Sequence, residues 1–400
     1  MKKLMLLGGL RYLLPVIEEA HKLGVYVITA DYLPNNIAHK YSDEYCNVSI
    51  IDKDAVLKAA KELRIDGILS HAVDPGVTTA AYVAEQLGLP FQCSHDAACI
   101  LQDKSLFRKF LSENGFNAPK AKGYNNIDSA LMDADYFNWP VIVKPVDSAG
   151  SKGVTKVENK SQLRSAIETA LSASISKQII IEDFLDKVGA QSSADIFTVD
   201  GELVYPAYSD QLFDPNAENP YTPAIEIWPS SMDEKFQDDL TQQLQRLFKL
   251  LKVKSGIYNV ESRVCSDGKA YIMEVSPRGG GNRIAELQDM ATSQNLIQNE
   301  IKKALGMPLD NITAPQYNGV WCNYILHSSK EGTLDSISID PEFESKHVRD
   351  IGLIVKPGDH IVPFTGANTS LGTLFLRFET RKELDEALSN PDSWIQIKVN

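Results

Sequence analysis

A single turn constrains this chain more than any other feature. Asp267-Gly268 separates two runs of strand character, Ile257–Val264 and Ala270–Ser276. An Asp-Gly pair flanked by such runs is a strong hairpin signal. The runs are therefore expected to pair antiparallel, and a two-residue loop sets the register: Glu261 faces Glu274, and Asn259 faces Ser276. Like charges directly opposite on a ladder are destabilising. Two carboxylates held that close either share a proton or hold a cation. Oxygen ligands at this spacing suit Mg²⁺ (or Mn²⁺), Mg²⁺ commonly taking one or two carboxylates and completing its shell with water and substrate phosphates. The plainer alternative is a solvent-facing pair, or a different register.

Pro277-Arg278-Gly279-Gly280-Gly281 follows the hairpin at once. A guanidinium beside a metal can neutralise a transferring phosphoryl group. Glycines next to it let a carboxylate substrate approach the backbone.

A second stretch, Trp139 to Val154, carries the matching chemistry. Val141-Ile142-Val143 reads as a buried strand ending on Lys144. The loop after it is Ser148, Ala149, Gly150, Ser151, Lys152 and Gly153. Small residues uncover backbone N–H groups, and with two lysines they can wrap polyphosphate. A surface hairpin with solvated lysines fits the same residues. Further on, Ile179–Ile181 leads into Glu182-Asp183-Phe184-Leu185. A carboxylate at a strand end beside an aromatic can meet a purine's exocyclic amine. Upstream, Asp103 is expected to cap a helix closed at Gly115. Lys104 and Arg108 lie one turn apart on it, and taken alone they read as two solvated cations.

Around these stretches the chain divides into three expected units. Residues 1–100 alternate strand and helix, which implies a doubly wound parallel sheet. Gly8-Gly9 lacks the dinucleotide fingerprint, and Asp31 reads as a turn residue. His71 and Asp74 follow a strand end, where open α/β sheets bind ligands, although Asp74-Pro75-Gly76 equally marks a turn and helix start. Residues 101–310 form the central unit, with a subdomain at about 118–190. It includes a hairpin at Asp200-Gly201 and a Pro/Asn/Asp-rich loop at 207–230. A capping box at Ser231–Glu234 opens a core helix, and a helical stretch runs from about Arg283 to Leu305. Residues 311–400 read as a β-rich unit with a structural or dimerising role.

The net charge of −13 over 400 residues does not advertise nucleic-acid or anionic-membrane binding, so a phosphate site must be a local basic pocket. The apolar run Leu4–Leu10 reads as a first strand, not a leader, and no window approaches a membrane span. Five scattered cysteines without C-x-x-C argue for reduced thiols and a cytoplasmic protein.

Taken in order, D-K-x-x-x-R at 103–108, V-K-P with its small-residue loop at 141–153, E-D-F-L at 182–185, V-E-S-R at 260–263 and E-V-S-P-R-G-G-G at 274–281 resemble the ATP-grasp superfamily. The resemblance covers about 1–310. It implies an α/β protein: a pre-ATP-grasp domain, an ATP-grasp fold of two α+β subdomains, and a β-rich C-terminal domain. It also implies roles. Lys104 and Lys144 contact ATP phosphates under the loop Ser148–Gly153, with Ser148, Gly150, Ser151, Lys152 and Gly153 lining it. Glu182, Asp183, Phe184 and Leu185 hold adenine. Gln191 stands where a ribose-binding Glu is usual. Glu261 and Glu274 bind Mg²⁺, Ser276 replaces a usual Asn ligand, and Arg278 steadies an acyl-phosphate step.

S-P-R-G-G-G-N-R-I is most similar to the amino-acid ligases, with broader similarity to glycinamide ribonucleotide synthetases and carbamoyl-phosphate synthetases. The activity implied is ATP-dependent joining of a small-molecule carboxylate to an amine, in a homodimer by family analogy. A purine-biosynthesis or carbamoyl-phosphate type of enzyme is the alternative. A non-catalytic ATP-binding regulatory module is an alternative of another class, motivated by Ser276 and Gln191.

Overall fold

The computed structural model describes residues 1–147 and 152–400. Ser148, Gly150 and Ser151 of the expected phosphate loop lie outside the described residues. The first sheet comprises β1 (Lys3–Leu7), β2 (Tyr26–Asp31), β3 (Glu44–Asn47) and β4 (Gly67–Leu69), all parallel, in the order β3-β2-β1-β4. Leu4 to Leu7 are fully buried, as a strand covered on both faces requires. Asp31 ends β2 as a turn residue, accepting from the Leu33 N–H and Asn36.

The second sheet is antiparallel: β5 (Ala121–Tyr124), β6 (Val141–Pro145), β7 (Thr155–Val157) and β8 (Ile179–Asp183), ordered β5-β8-β6-β7. The third contains β9 (Ser192–Val199) and β10 (Glu202–Tyr205). Asp200 and Gly201 turn between them with φ of 50° and 85°, the positive values that a two-residue hairpin requires.

Residues 207–230 are not the loop their composition suggested. They supply β11 (Asp210–Phe213) and β12 (Pro223–Trp228), because Ala224-Ile225-Glu226-Ile227-Trp228 has enough apolar, β-branched character to pair despite its polar flanks. The capping box also fails to form. Asp233 occupies the N-cap of the helix Glu234–Leu250 without a side-chain bond, while the Ser231 N–H donates to Asp210.

Next come β13 (Gly256–Val264) and β14 (Ala270–Ser276), which complete the third sheet in the order β10-β9-β13-β14. The expected helix 283–305 is two helices, Ile284–Thr292 and Leu296–Ala304. Ser293 turns left-handed between them at φ 58°, and Asn295 caps the second. The remaining strands are β15 (Val320–Leu326), β16 (Gly332–Ile339), β17 (Val348–Leu353), β18 (His360–Ile361), β19 (Gly372–Phe378) and β20 (Ile395–Val399). The fourth sheet runs β11-β12-β15-β19-β17, so it takes strands from 210–228 as well as from 320–378. A small sheet, β18-β16-β20, completes the chain. Among the described residues no helix is long and apolar enough to cross a membrane.

One apolar core runs from Leu4 in the first sheet to Ile312, joining β1, β2 and β4 to β9, β13 and β14. The β5–β8 sheet has a core of its own, from Tyr124 to Ile181.

Candidate active site

The β13–β14 hairpin reaches the expected pairing by an unexpected path. Its loop has three residues, not two: Ser266, Asp267 and Gly268, with Gly268 at φ 76° and its N–H donating to the Cys265 carbonyl. That is the form in which an ordinary turn is closed by a left-handed glycine. The extra loop residue shifts the register by one near the turn, pairing Val264 with Ala270 and Ser262 with Ile272. A bulge between Glu261 and Ser262 then shifts it back, so Glu261 does face Glu274, and Asn259 faces Ser276. The two shifts cancel at the acids.

Both carboxylates are half-buried. Burial and the Glu274 charge push Glu261 up to about 7, the response of an acid pressed against a like charge. Lys104 stands beside the pair, its Nζ 3.4 Å from Glu274 Oε2. Burial works against that ammonium, but Glu274, Asp74 and Glu261 outweigh it and raise its pKa. Asp103 caps the helix of Lys104 through the Ser105 and Leu106 N–H groups, fixing where the lysine starts.

Lys104 and Arg108 are not the solvated pair that their spacing suggested. Arg108 is 3% exposed: its Nε donates to Glu182 Oε2 at 2.9 Å and its Nη1 to the Met273 carbonyl. Glu182 also takes the Lys144 ammonium on Oε1. Burial alone would raise Glu182, yet Arg108 and Lys144 hold it down at about 2. With its side chain 2% exposed, that carboxylate is enclosed between two cations and offers no surface to a purine. Its arrangement orients Lys144. Burial lowers Lys144 to about 8 despite Glu182, with Arg108 adding to the effect.

The neighbouring residues of that strand end are tied differently. Asp183 accepts from the Asn138 backbone and side chain, and the Phe184 N–H donates to the Pro140 carbonyl. Lys156 lies 4.4 Å over the Phe184 ring. Leu185 is half-buried and Lys152 is exposed. Gly153 is left-handed at φ 73°, and a Cβ there would meet Ala173 at 2.7 Å.

Arg278 is clamped from the first sheet. Asp74 receives its Nε at 2.9 Å and its Nη2 at 2.7 Å. Burial pushes Asp74 up, but the guanidinium outweighs it and keeps the carboxyl below its usual range. Asp74 is the first residue of the helix to Leu87, so the turn-and-helix reading and the site reading of this residue both hold. His71 packs on the Gly279 backbone, and burial with the Arg278 charge lowers it to about 4.

Three expectations need correction here. Ser276 is 1% exposed, its hydroxyl accepting from Gln102 Nε2 at 2.6 Å and donating to Asp74 at 3.1 Å, so its oxygen is engaged within the protein. The glycines mostly serve the protein's own packing: Gly279 admits the His71 ring, and Gly280 admits Asn259 and Asp195. Only Gly281 faces open space. Gln191, 5% exposed, links the site inward, donating to Gln211 at 2.9 Å and to Glu261 at 3.4 Å while accepting from Arg263.

Sequence reasoning missed Gln211, Glu226 and Asn323, which line the β11–β12–β15 face against this region. The available signal was a lone acid, Glu226, between isoleucines in a short apolar run.

Two hard oxygen donors facing each other across the hairpin fit a divalent cation. Among the described residues no cluster of three or more His, Cys, Asp or Glu could hold a metal ion, so water and ligand oxygens would have to complete the shell.

Residues 137–286 match the ATP-grasp domain family. Over 338 residues, 82% of its length, the chain is 20% identical to the carbamoyl phosphate synthase large chain of Clostridium beijerinckii, of which it spans 31%. Over 319 residues it is 25% identical to the formate-dependent phosphoribosylglycinamide formyltransferase of a Synechococcus species, covering 78% of this chain and 79% of the relative. The crystal structure of an L-amino acid ligase from Bacillus licheniformis superposes with a TM-score of 0.82 at 21% identity, covering 100% of this chain and 99% of that one. The likeness in structure shows a shared fold.

Proposed function

From the premise that this chain carries an ATP-grasp domain, we propose that it is an ADP-forming, Mg²⁺-dependent carboxylate–amine ligase. One observation carries the reading: Glu261 and Glu274 meet in register beside Lys104, with Arg278 four residues further on. In this reading Lys104 and Lys144 hold the ATP phosphates. Backbone groups near Phe184-Leu185 receive adenine. Glu261 and Glu274 hold the metal, which would neutralise charge on the phosphates. Arg278, kept rigid by Asp74, stabilises charge on the phosphoryl group as it passes to the substrate carboxylate. The acyl phosphate and ADP result; an amine then attacks the carbonyl, forming the amide and releasing phosphate. The protein supplies positioning and charge rather than a covalent nucleophile, as is general in phosphoryl transfer.

Similarity to the L-amino acid ligase fold supports amino-acid substrates, and the carbamoyl phosphate synthase and formyltransferase relatives support the purine or carbamoyl-phosphate alternative. ADP formation against a panel of amino acids, glycinamide-type amines and bicarbonate separates these. One observation favours a non-catalytic ATP-binding module: the Ser276 hydroxyl is engaged by Gln102 and Asp74. Tight Mg-ATP binding with no substrate-dependent ADP would establish that second reading.

A further inference from the structure

A polar row crosses the fourth sheet on the face turned toward Glu261. Register sets Gln211 opposite Glu226, Glu226 opposite Asn323, and Asn323 opposite Phe375. Gln211 donates to Glu226 Oε1 at 3.2 Å, and Gln191 joins Gln211 to Glu261, so the row begins at the candidate active site. At its far side Asn323 donates to the Asn282 carbonyl at 2.6 Å, beside the glycine segment that follows Arg278.

Glu226 is 1% exposed and Asn323 is fully buried. Glu226 Oε2 and Asn323 Oδ1 are both shielded from solvent, and neither has a hydrogen-bond partner among the described residues. Two acceptors side by side in a dry interior, each without a donor, are costly. Burial, with the charges of Asp195 and Glu261 added, outweighs Gln211 and Asn323, which act to lower it, and pushes the Glu226 carboxyl up to about 8. In this closed state the carboxyl's own proton is a donor at hand for the two oxygens, and a donating cation could take its place.

We propose that Glu226 and Asn323 are the seat of the ammonium group of the amine substrate. The inference deepens the ligase reading and rests on it. An ammonium has three donors and no acceptor. It satisfies both orphan oxygens at once, and its charge draws Glu226 back to the carboxylate form. The seated ammonium becomes a nucleophile by passing one proton to the Glu226 carboxylate, which frees the nitrogen lone pair, and the row ends at the glycine segment adjoining Arg278. In this structure the seat is closed, so occupancy requires β12 and the 279–283 segment to part.

The experiment uses the full chain with ATP, Mg²⁺ and an equimolar mixture of the standard L-amino acids, with and without hydroxylamine. Hydroxylamine is mostly uncharged near neutral pH and traps an activated carboxylate as hydroxamate without needing an ammonium seat. In Glu226→Gln, amino-acid-dependent phosphate release at sub-saturating mixture is expected to fall about tenfold or more, the loss of one charge-assisted contact. Hydroxamate formation should stay close to that of the parent.

Unchanged amino-acid dependence in Glu226→Gln, with a higher melting temperature, would overturn the proposal. It would make Glu226 a protonated link to Asn323 whose O–H an amide N–H replaces. Equal loss of both reactions at the parent melting temperature would also overturn it, by removing the distinction between amine and carboxylate. If Glu226→Gln does not fold, Asn323→Asp decides: a KM for the amino-acid mixture held or lowered supports the seat, and a raised one overturns it. No phosphate release by the parent with any substrate sinks the ligase reading itself, and the seat with it.

Discussion

Lys144 is the side chain whose protonation should be visible in kinetics. Its ammonium is present below about pH 8 and lost above it, because burial, more than any neighbour, disfavours the charge. The kcat/KM for ATP is therefore expected to fall as pH rises through about 8, since that ratio reports the free protein. Lys144→Arg keeps a charge at all pH values, so its profile should lack the alkaline limb even if its plateau is lower. A limb that persists in the arginine variant would assign it to another group. Glu274→Gln removes one of the paired charges with little change of shape. It is expected to lower kcat/KM by about 10²–10³-fold, the scale of losing one well-placed electrostatic group. The same change should lower the Glu261 pKa, because the Glu274 charge raises it, next after burial. Arg108→Leu leaves Glu182 buried with Lys144 alone, and thermal or denaturant unfolding should register a loss of about 3–5 kcal/mol. Had Arg108 been the solvated surface cation that its helix position suggested, the change would be close to neutral.

At the scale of elements, the glycines after Arg278 offer a contrast within three residues. A Cβ on Gly279 would penetrate the His71 ring, while a Cβ on Gly281 meets open space. Gly279→Ala should cost about 1–3 kcal/mol and displace Arg278, and Gly281→Ala should stay within about 0.5 kcal/mol. Melting curves of the pair test this directly. Such differences were not legible beforehand, because neighbours in sequence say nothing of what packs on them from residue 71. Local chemistry was legible at Asp103, which caps its helix, and at Asp200-Gly201, which turns as its residue types demand, but not at Asn295, whose cap divides the helix expected over 283–305. The strands at 210–213 and 223–228 were obscured because proline, asparagine and aspartate around them signal loop, while the strand that joins their hairpin to the sheet lies about 100 residues away. The adenine role of Glu182 rests on its place at a strand end beside an aromatic and on the family resemblance, neither of which shows what encloses it. The arginine and lysine that enclose it come from a helix and a strand well upstream, and only folding brings them together.

For the molecule as a whole, the division of apolar cores sets what can move. The first sheet shares one continuous core with β9, β13 and β14, so Asp74 and Arg278 are held by a common interior. The β5–β8 sheet, which carries Lys144, is buried on itself. Regions with separate cores open at lower free energy than the global transition. Native-state hydrogen exchange should therefore show the amides of Val141–Pro145 and Ile179–Asp183 opening before those of Gly256–Val264. Simultaneous exchange would mean that the Arg108 and Lys144 contacts to Glu182 weld the two bodies together. The bulge beside Glu261 has a consequence of another kind. Side-chain direction along a strand is a matter of odd and even, and here an odd loop is corrected by one odd residue in the return strand. Met273 is the residue that the bulge leaves without a partner, so deleting it would straighten the return strand and keep Glu261 opposite Glu274. The meeting of the two acids thus hangs on the count of residues between them, and the bulge is the place where one surplus residue is absorbed.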